Sequence, residues 1–429
     1  MTSWRPTPSL VRSCLLALGG VTGGVVLGQE VLVVLAAPFA VLAAMGLLSR
    51  PRTSPHVSAS LDHVRLHEGQ GTTSRLLVDD LTGVEHVSRA TARATHVVTR
   101  PVHGAAGSLV EDGLPVVHSS PRRWGRRVVG AERVALTSPW AGWRWGPHDL
   151  PERGFNVLPQ TAPYDTRAEV PQPDGLVGRH RSRRIGSGTE FEGIRPFATG
   201  DRLKRINWPV SLRTGDLHVV TTRAEQDASV WIVVDGLSDI GASGGIDGAA
   251  STLDLTVRAA SALAEHHVRT GDRVGLLVVA ADATRVPLGS GSRHLHRLQG
   301  TLARIRTETR SVAPDRLDLG AGAGSVVYVL SPMFFTPLVT ATVSLQRSGG
   351  TVVVIDTIGD TMADTMADQP GDRLALPSLA ARMQRIERDD RVRRLAELGT
   401  PVVPWRGPGT LDTVLRQLAR RGRVPKVRA

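Results

Sequence analysis

The chain has 429 residues, enough for two soluble domains and a smaller module. Its formal charge is +12, carried almost wholly by arginine, since Lys204 and Lys426 are the only lysines. Arginine richness spread along a whole chain often follows genome composition, so no nucleic-acid partner is expected from it, and the single cysteine, Cys14, excludes an internal disulfide and any multi-cysteine metal site. Residues 1–52 form the first module. Between Arg12 and Arg50 the only charged residue is Glu30. One helix over that stretch would run roughly 55 Å against a hydrocarbon core of ~30 Å, so two spans are predicted, at about 13–28 and 31–48, with Gln29 and Glu30 in the turn. Gly19 with Gly23, Gly20 with Gly24 and Gly28, and Ala36 with Ala40 and Ala44 are small-residue pairs that let two helix backbones approach in lipid. Arg5 and Arg12 precede the pair and Arg50 and Arg52 follow it, so the positive-inside rule places the N-terminus and the soluble part in the cytoplasm, on a multi-pass protein of the cell membrane.

Residues 54–162 read as an all-β, sandwich-like domain: short alternating runs such as SRLLVDDL, THVVT and RRVVGAERVAL are separated by Gly, Pro and Asp. Trp124, Trp140, Trp143 and Trp145 are expected to close the ends of that sandwich; an exposed aromatic–arginine face is the alternative. Residues 163–187, rich in Pro and Gly and carrying Arg179, His180, Arg181, Arg183 and Arg184, read as a linker.

The stretch 188–217 is the most distinctive of the chain. It sets Glu190, Arg195, Asp201, Lys204, Arg205 and Arg213 among Phe191, Phe197 and Trp208. Gly188, Glu190, Phe191, Arg195, Phe197, Gly200, Asp201, Lys204, Arg205, Ile206, Asn207, Trp208, Ser211, Arg213, Gly215 and Leu217 together reproduce a pattern that resembles the signature of the domain-of-unknown-function 58 family. Each carboxylate has arginines close by in sequence, which favours permanently ionised pairs. A buried network of Arg195, Asp201 and Arg213 is therefore the first expectation, with docking of a partner, and after it acid–base catalysis, as alternatives. Trp208 is expected in the core. Pro196 stands where relatives often carry an acid, so one salt bridge implied by the resemblance is missing.

From residue 218 to 422 continuous apolar runs alternate with helical patterns: VWIVVD, a helix at 249–268, RVGLLVVA, VPLG, a helix at 293–307, SVVYVLS, helices near 337–347 and 378–399 flanking TVVVID, then PVVPW and a helix near 409–421. Buried strands alternating with helices imply a parallel sheet covered on both faces. The order looks like a doubly wound von Willebrand factor A-like domain, so the fold class is α/β. The resemblance implies a cation site after the first strand, where Asp235-Gly236-Leu237-Ser238-Asp239 keeps only the first carboxylate of the Asp-x-Ser-x-Ser pattern. Leu237 has no donor oxygen and Pro332 follows Ser331 where an Asp is usual, so no metal is expected, with Asp235, Ser238 and Asp239 as the candidates if magnesium binds. The chain has no P-loop motif, and Gly241–Gly245 matches G-x-S-x-G only in a Gly/Ser run whose Ser243 lies eight residues past Asp235. A basic tail, 423–429, ends the chain. No nucleophile–base set or small-molecule substrate is visible, so an enzyme is not expected. The resemblance implies a membrane-anchored interaction module that partners a MoxR-type AAA+ ATPase in assembling or maturing an envelope-linked complex; a magnesium-dependent, adhesion-type module is the alternative.

Overall fold

The computed structural model describes residues 3–102, 107–160, 180–186, 190–198, 201, 203–226, 229–280, 283–306, 325–358, 376–407, 409 and 410, with the backbone alone at 180–186, 190–192, 205, 221–226 and 376–381. Most of the expected linker, the TMADTMAD repeat, the C-terminal helix beyond Thr410, the basic tail and signature residues Gly188 and Gly200 lie outside the described residues. The chain divides into two units, residues 1–158 with 244–247, and residues 159–243 with 248–429.

The first unit opens with an antiparallel helix hairpin, α1 (Pro8–Leu27) and α2 (Glu30–Leu48). Pro8 at the first helical position and the Thr7 hydroxyl, which accepts the Leu10 N–H at 3.2 Å, start α1, and Gly28 closes it in the left-handed conformation at φ 63°. At 1.5 Å per residue the 20 and 19 residues reach about 30 and 28 Å, the thickness of a hydrocarbon core. Both helices are long and apolar enough to cross a membrane. The first begins five residues earlier than the charge pattern suggested, because Arg12 is carried within it on an exposed position. The expected small-residue contact forms on one of the two glycine rows. A Cβ on Gly20 would lie 2.6 Å from that of Ala36, and one on Gly24 2.5 Å from Val33 Cγ2, whereas Gly19 has nothing within 4 Å. On α2 the buried small residues are Ala36, Ala43 and Gly46; Ala40 and Ala44 are exposed, since the helix turns its contact row away from them.

The strands of this unit are β1 (Arg5–Pro6), β2 (Val57–Leu61), β3 (Arg65–His67), β4 (Thr72–Val78), β5 (His86–Thr91), β6 (Val97–Pro101), β7 (Gly107–Leu109), β8 (Val117–Pro121), β9 (Gly125–Val128), β10 (Glu132–Thr137), β11 (Trp143–Leu150) and β12 (Gly154–Leu158). They form sheets of order β1-β11-β10-β5-β7, β2-β4-β8-β6 and β3-β12-β9. Val87, Val134, Leu136 and Trp145 from the first sheet share one core with Val57 and Leu76 from the second, so the alternating runs bury their apolar faces against each other. Trp124, Trp143 and Trp145 are buried as expected, but Trp140 is 55% exposed.

The second unit begins with a three-stranded antiparallel sheet of order β13-β15-β14, made of β13 (His180–Gly186), β14 (Glu190–Pro196) and β15 (His218–Gln226). The basic run 180–184, read above as linker, is therefore strand: its backbone pairs with β15, His180 opposite Gln226 and Ile185 opposite Arg223. A short helix, α3 (Trp208–Thr214), interrupts the path from β14 to β15. There follow β16 (Ser229–Asp235), α4 (Thr252–Arg269), β17 (Arg273–Val279), β18 (Thr284–Gly289), α5 (Ser292–Leu302), β19 (Val326–Ser331), α6 (Thr336–Arg347), β20 (Thr351–Asp356), α7 (Leu376–Glu397) and β21 (Val402–Pro404). The six strands lie in the order β18-β17-β16-β19-β20-β21, parallel except for the edge strand β18. One face, with Trp231, Val233, Val329 and Val354, packs on Leu338 and Leu345 of α6 and Leu395 of α7. The other carries Tyr328, whose hydroxyl meets His267 Nε2 of α4 at 2.9 Å. Burial on both faces is why these strands read as unbroken apolar runs.

Candidate functional site

The signature folds as a clasp around α3. Asn207 caps that helix, its side-chain oxygen accepting the Val210 N–H at 3.2 Å, Pro209 occupies the first turn, and Gly215 ends it at φ 80°. Ser211 holds the helix to the following strand: its hydroxyl donates to Asn207 O (2.8 Å) and accepts the His218 N–H (2.9 Å). The Asn207 N–H donates in turn to His218 O at 2.8 Å and the Phe197 N–H to Leu217 O at 2.7 Å, so both ends of the excursion are pinned to the start of β15.

Arg195, on β14, and Asp201 make a two-pronged pair, Nη1 to Oδ2 at 2.8 Å and Nη2 to Oδ1 at 2.7 Å. The same carboxylate accepts the Ala198 N–H at 2.9 Å, while the Asp201 N–H donates to Ala198 O at 3.0 Å, so the two residues hold each other. The Asp201 hydrogen bonds hold the Arg195 guanidinium further into its charged form. The pair is not the buried network expected: the two side chains are 35% and 21% exposed, and Arg213 stands exposed on the last turn of α3. Asp201 comes back to Arg195 at the end of β14, whereas α3 carries Arg213 outward. The side chains of Glu190 and Arg205 lie outside the described residues.

Trp208 is 59% exposed, not a core residue; Pro209 and the Asn207 cap orient the first turn of α3 so that its indole faces outward. Leu212, one turn on, is 80% exposed, and Leu203, in the turn 203–205, is 70% exposed. Lys204 and Arg213 flank these residues, also exposed. Sequence reading singled out the charges of this stretch and missed Leu203 and Leu212, although an i, i+4 Trp–Leu pair on a helix too short to bury a full face was the available sign.

The other candidate lies at the C-terminal edge of the parallel sheet, where β16 and β19 diverge, the place where open α/β sheets bind ligands. Asp235 ends β16 fully buried. Its Oδ2 accepts the Ser331 hydroxyl at 2.7 Å and its Oδ1 the Leu237 N–H at 3.0 Å, while the Ser331 oxygen accepts the Met333 N–H at 2.9 Å. Burial pushes the Asp235 carboxyl above its ordinary value, partly offset by these hydrogen bonds. Asp239 is exposed and accepts the Leu253 N–H at 3.2 Å, at the start of α4. Ser238 donates its backbone N–H to Asp235. Asp356, opposite Ser331 in register, is paired with Arg388 of α7, whose Nε also donates to Pro332 O at 3.2 Å. Arg388 thus places a fixed positive charge at this sheet edge. Sequence reading missed both residues; Asp356 ends TVVVID as Asp235 ends VWIVVD, and that shared pattern was the sign. Among the described residues no group of three or more His, Cys, Asp or Glu side chains is placed to hold a metal ion.

This clasp and the sheet strands β16 to β20 fall within residues 193–393, which match the family model described as protein of unknown function DUF58. This segment is similar to the DUF58 family. Over 146 residues the chain is 32% identical to uncharacterized proteins of Mycobacterium tuberculosis and Mycobacterium bovis, a match covering 33% of this chain and 44% of each relative. The chain thus spans under half the length of the curated relatives it matches. Arg195, Asp201, Trp208 and Arg213 all lie inside the DUF58 segment, while the helix hairpin and its β-sheets lie before it.

Proposed function

We propose that this protein is a membrane-anchored interaction module that docks a protein partner through α3 and the turn before it, and that the partner is a MoxR-type AAA+ ATPase acting on an envelope-linked complex. The observation that carries the docking role is the exposure of Trp208 and Leu212 on α3 and of Leu203 in the turn before it, with exposed Lys204 and Arg213 close by in sequence. Aromatic and apolar side chains ringed by charge are the composition of binding hot spots. The Arg195–Asp201 pair and the Ser211 bridges fix the backbone beneath, so the patch meets its partner preorganised. The choice of ATPase rests on family kinship alone.

The order and direction of the sheet strands support an A-type, doubly wound reading of the second unit, with a cation site given over to internal bonds: the Asp235 oxygens are engaged by Ser331 and loop N–H groups, and Asp356 by Arg388. This arrangement favours a metal-independent module over the magnesium-dependent alternative. The apolar sleeve of α1 and α2 supports the anchor, and the arginines at the outer ends of the hairpin support a cytoplasmic soluble part. Co-expression with the MoxR-type ATPase of the same genome tests the role. The wild-type chain is expected to co-purify with the ATPase, and Trp208→Ala/Leu212→Ala to lose it while keeping the wild-type melting midpoint. Equal recovery of ATPase with the double variant would overturn the assignment.

A further inference from the structure

The hairpin is not joined to the β-sheets by its chain connection alone. The N-terminal residues Arg5 and Pro6 pair as β1 with Arg144 and Trp143 of β11. The Thr7 N–H donates to Gly142 O at 3.0 Å. At the far end of α2 the Ser49 hydroxyl donates to Pro139 O at 3.1 Å, and the Trp143 indole N–H to Gly46 O at 2.9 Å. Gly46 and Gly142 approach so closely that a Cβ on Gly142 would lie 2.9 Å from Gly46 Cα. The turn 138–143 is therefore clamped between the start of α1 and the end of α2. If the helices span a bilayer, that turn sits at the level of the lipid headgroups.

The chemistry of the clamp fits that level. Arg5 and Arg144 stand directly opposite each other on neighbouring strands, a like-charge pairing that destabilises a sheet unless an anion lies between. The Arg50 guanidinium lies 4.8 Å over the Trp143 ring, and Arg52 follows two residues on; all four arginines belong to exposed residues. Among the described residues none of the four is ion-paired with a carboxylate; Asp80, near Arg52 in the fold through Thr53, takes the Thr53 hydroxyl at 2.7 Å and the Thr82 N–H at 2.8 Å instead. In the clamped turn Trp140 holds a left-handed backbone, φ 60° and ψ 18°, that a bulky side chain rarely adopts, and its indole is exposed. Such strain is retained where surrounding contacts enforce it and the side chain has a use. An indole at the membrane interface, with arginines reaching phosphates beside it, is that use.

We infer that Arg5, Arg50, Arg52 and Arg144, with Trp140, form a binding collar for anionic phospholipid headgroups at the base of the hairpin. This rests on the reading of α1 and α2 as membrane spans. The test uses the full chain reconstituted from mixed phosphatidylcholine and phosphatidylglycerol, with the retained lipid extracted and quantified. The wild type is expected to retain phosphatidylglycerol in excess of its share of the mixture, and to lose the excess as salt rises. Neutralising an arginine weakens the preference by about fivefold, and Arg5→Gln/Arg144→Gln by about thirtyfold, with the melting midpoint in detergent kept or raised as the like-charge pair is removed. Equal phosphatidylglycerol retention by the wild type and the double variant, or none in either, overturns the collar. Alkaline extraction of cell membranes separates the two failures: release of the chain overturns the span reading and the collar with it, while retention of an embedded chain without lipid preference overturns the collar alone.

Discussion

Glu132 offers the sharpest test of what holds the first unit together. Its carboxylate lies between two guanidinium groups inside the β-sheets, Oε1 at 2.6 Å from Arg89 Nη2 and Oε2 against Arg153. The three side chains are 2%, 0% and 15% exposed. Arg89 also donates to Ser74 O at 2.9 Å and Pro115 O at 3.0 Å, so it cannot swing out to water. Burial pushes the Arg89 and Arg153 guanidinium groups down to about 10, still far above neutral, and both are charged at pH 7. Glu132→Gln leaves two like charges buried together with no counter-ion. Removing one partner of a buried pair costs about 3–5 kcal/mol. A domain of this size loses about 2–4 °C per kcal/mol, so the midpoint should fall by about 6–20 °C. Thermal unfolding of the full chain in detergent, followed by tryptophan emission, measures it. Asp149→Asn, which breaks the exposed Arg133–Asp149 pair, is the control and should stay within about 1 kcal/mol of the wild type. The triple variant Arg89→Met/Glu132→Leu/Arg153→Met removes all three charges at once and should recover most of the loss, because the penalty lies in stranded charge and not in lost attraction. A Glu132→Gln midpoint within 2 °C of the wild type would refute the reasoning, since it would mean that water already reaches the centre.

Two further outcomes follow from the same accounting. Asp235 holds a proton more tightly in the folded chain than in the unfolded one, so its contribution to stability is lost as pH rises from the ordinary aspartate range, about 3.9, through its raised folded value. Asp235→Asn removes that slope, and its midpoint relative to the wild type should climb over the same interval; a difference independent of pH would show that the carboxylate is not penalised by burial. In the hairpin, Gly24→Leu should weaken the α1–α2 contact, because its Cβ would meet Val33 Cγ2 at 2.5 Å and Gln29 O at 3.1 Å, while Gly19→Leu faces open space; equal loss of intramolecular helix cross-linking in the two variants would refute that register.

What could be read in the sequence was whatever repeats at short range. Period-two runs marked β4, β6, β9 and β10 of the first unit, and VWIVVD, RVGLLVVA, SVVYVLS and TVVVID marked the parallel strands because both of their faces are covered. Glycine spacing marked the hairpin contact on Gly20 and Gly24, but not how far the contact row winds along α2, which passes to Ala43 and Gly46. The strand at 180–186 was hidden because its residues are basic and its pairing partner lies some forty positions on, in β15. Arg388 was hidden for the same reason: it reaches Asp356 from 32 residues away along a helix of low amphipathicity.

The signature shows where local spacing stops being informative. The pairing of Arg195 with Asp201 was legible because the carboxylate has an arginine close by in sequence, and the structure makes it with two hydrogen bonds. Whether a residue faces the core or the solvent is decided by what packs over it, and no spacing records that. Trp208 has the composition of a core residue and the position of a surface one. The same holds for Trp140, which sits among three buried tryptophans in sequence and apart from them in exposure. In both places an indole stands exposed on backbone that is fixed from below, by Ser211 under α3 and by Gly142 against Gly46 under the turn. Fixed backbone under an exposed aromatic suits the docking surface proposed for α3 and the lipid collar inferred for the turn, because the ordering entropy has been met before the partner arrives.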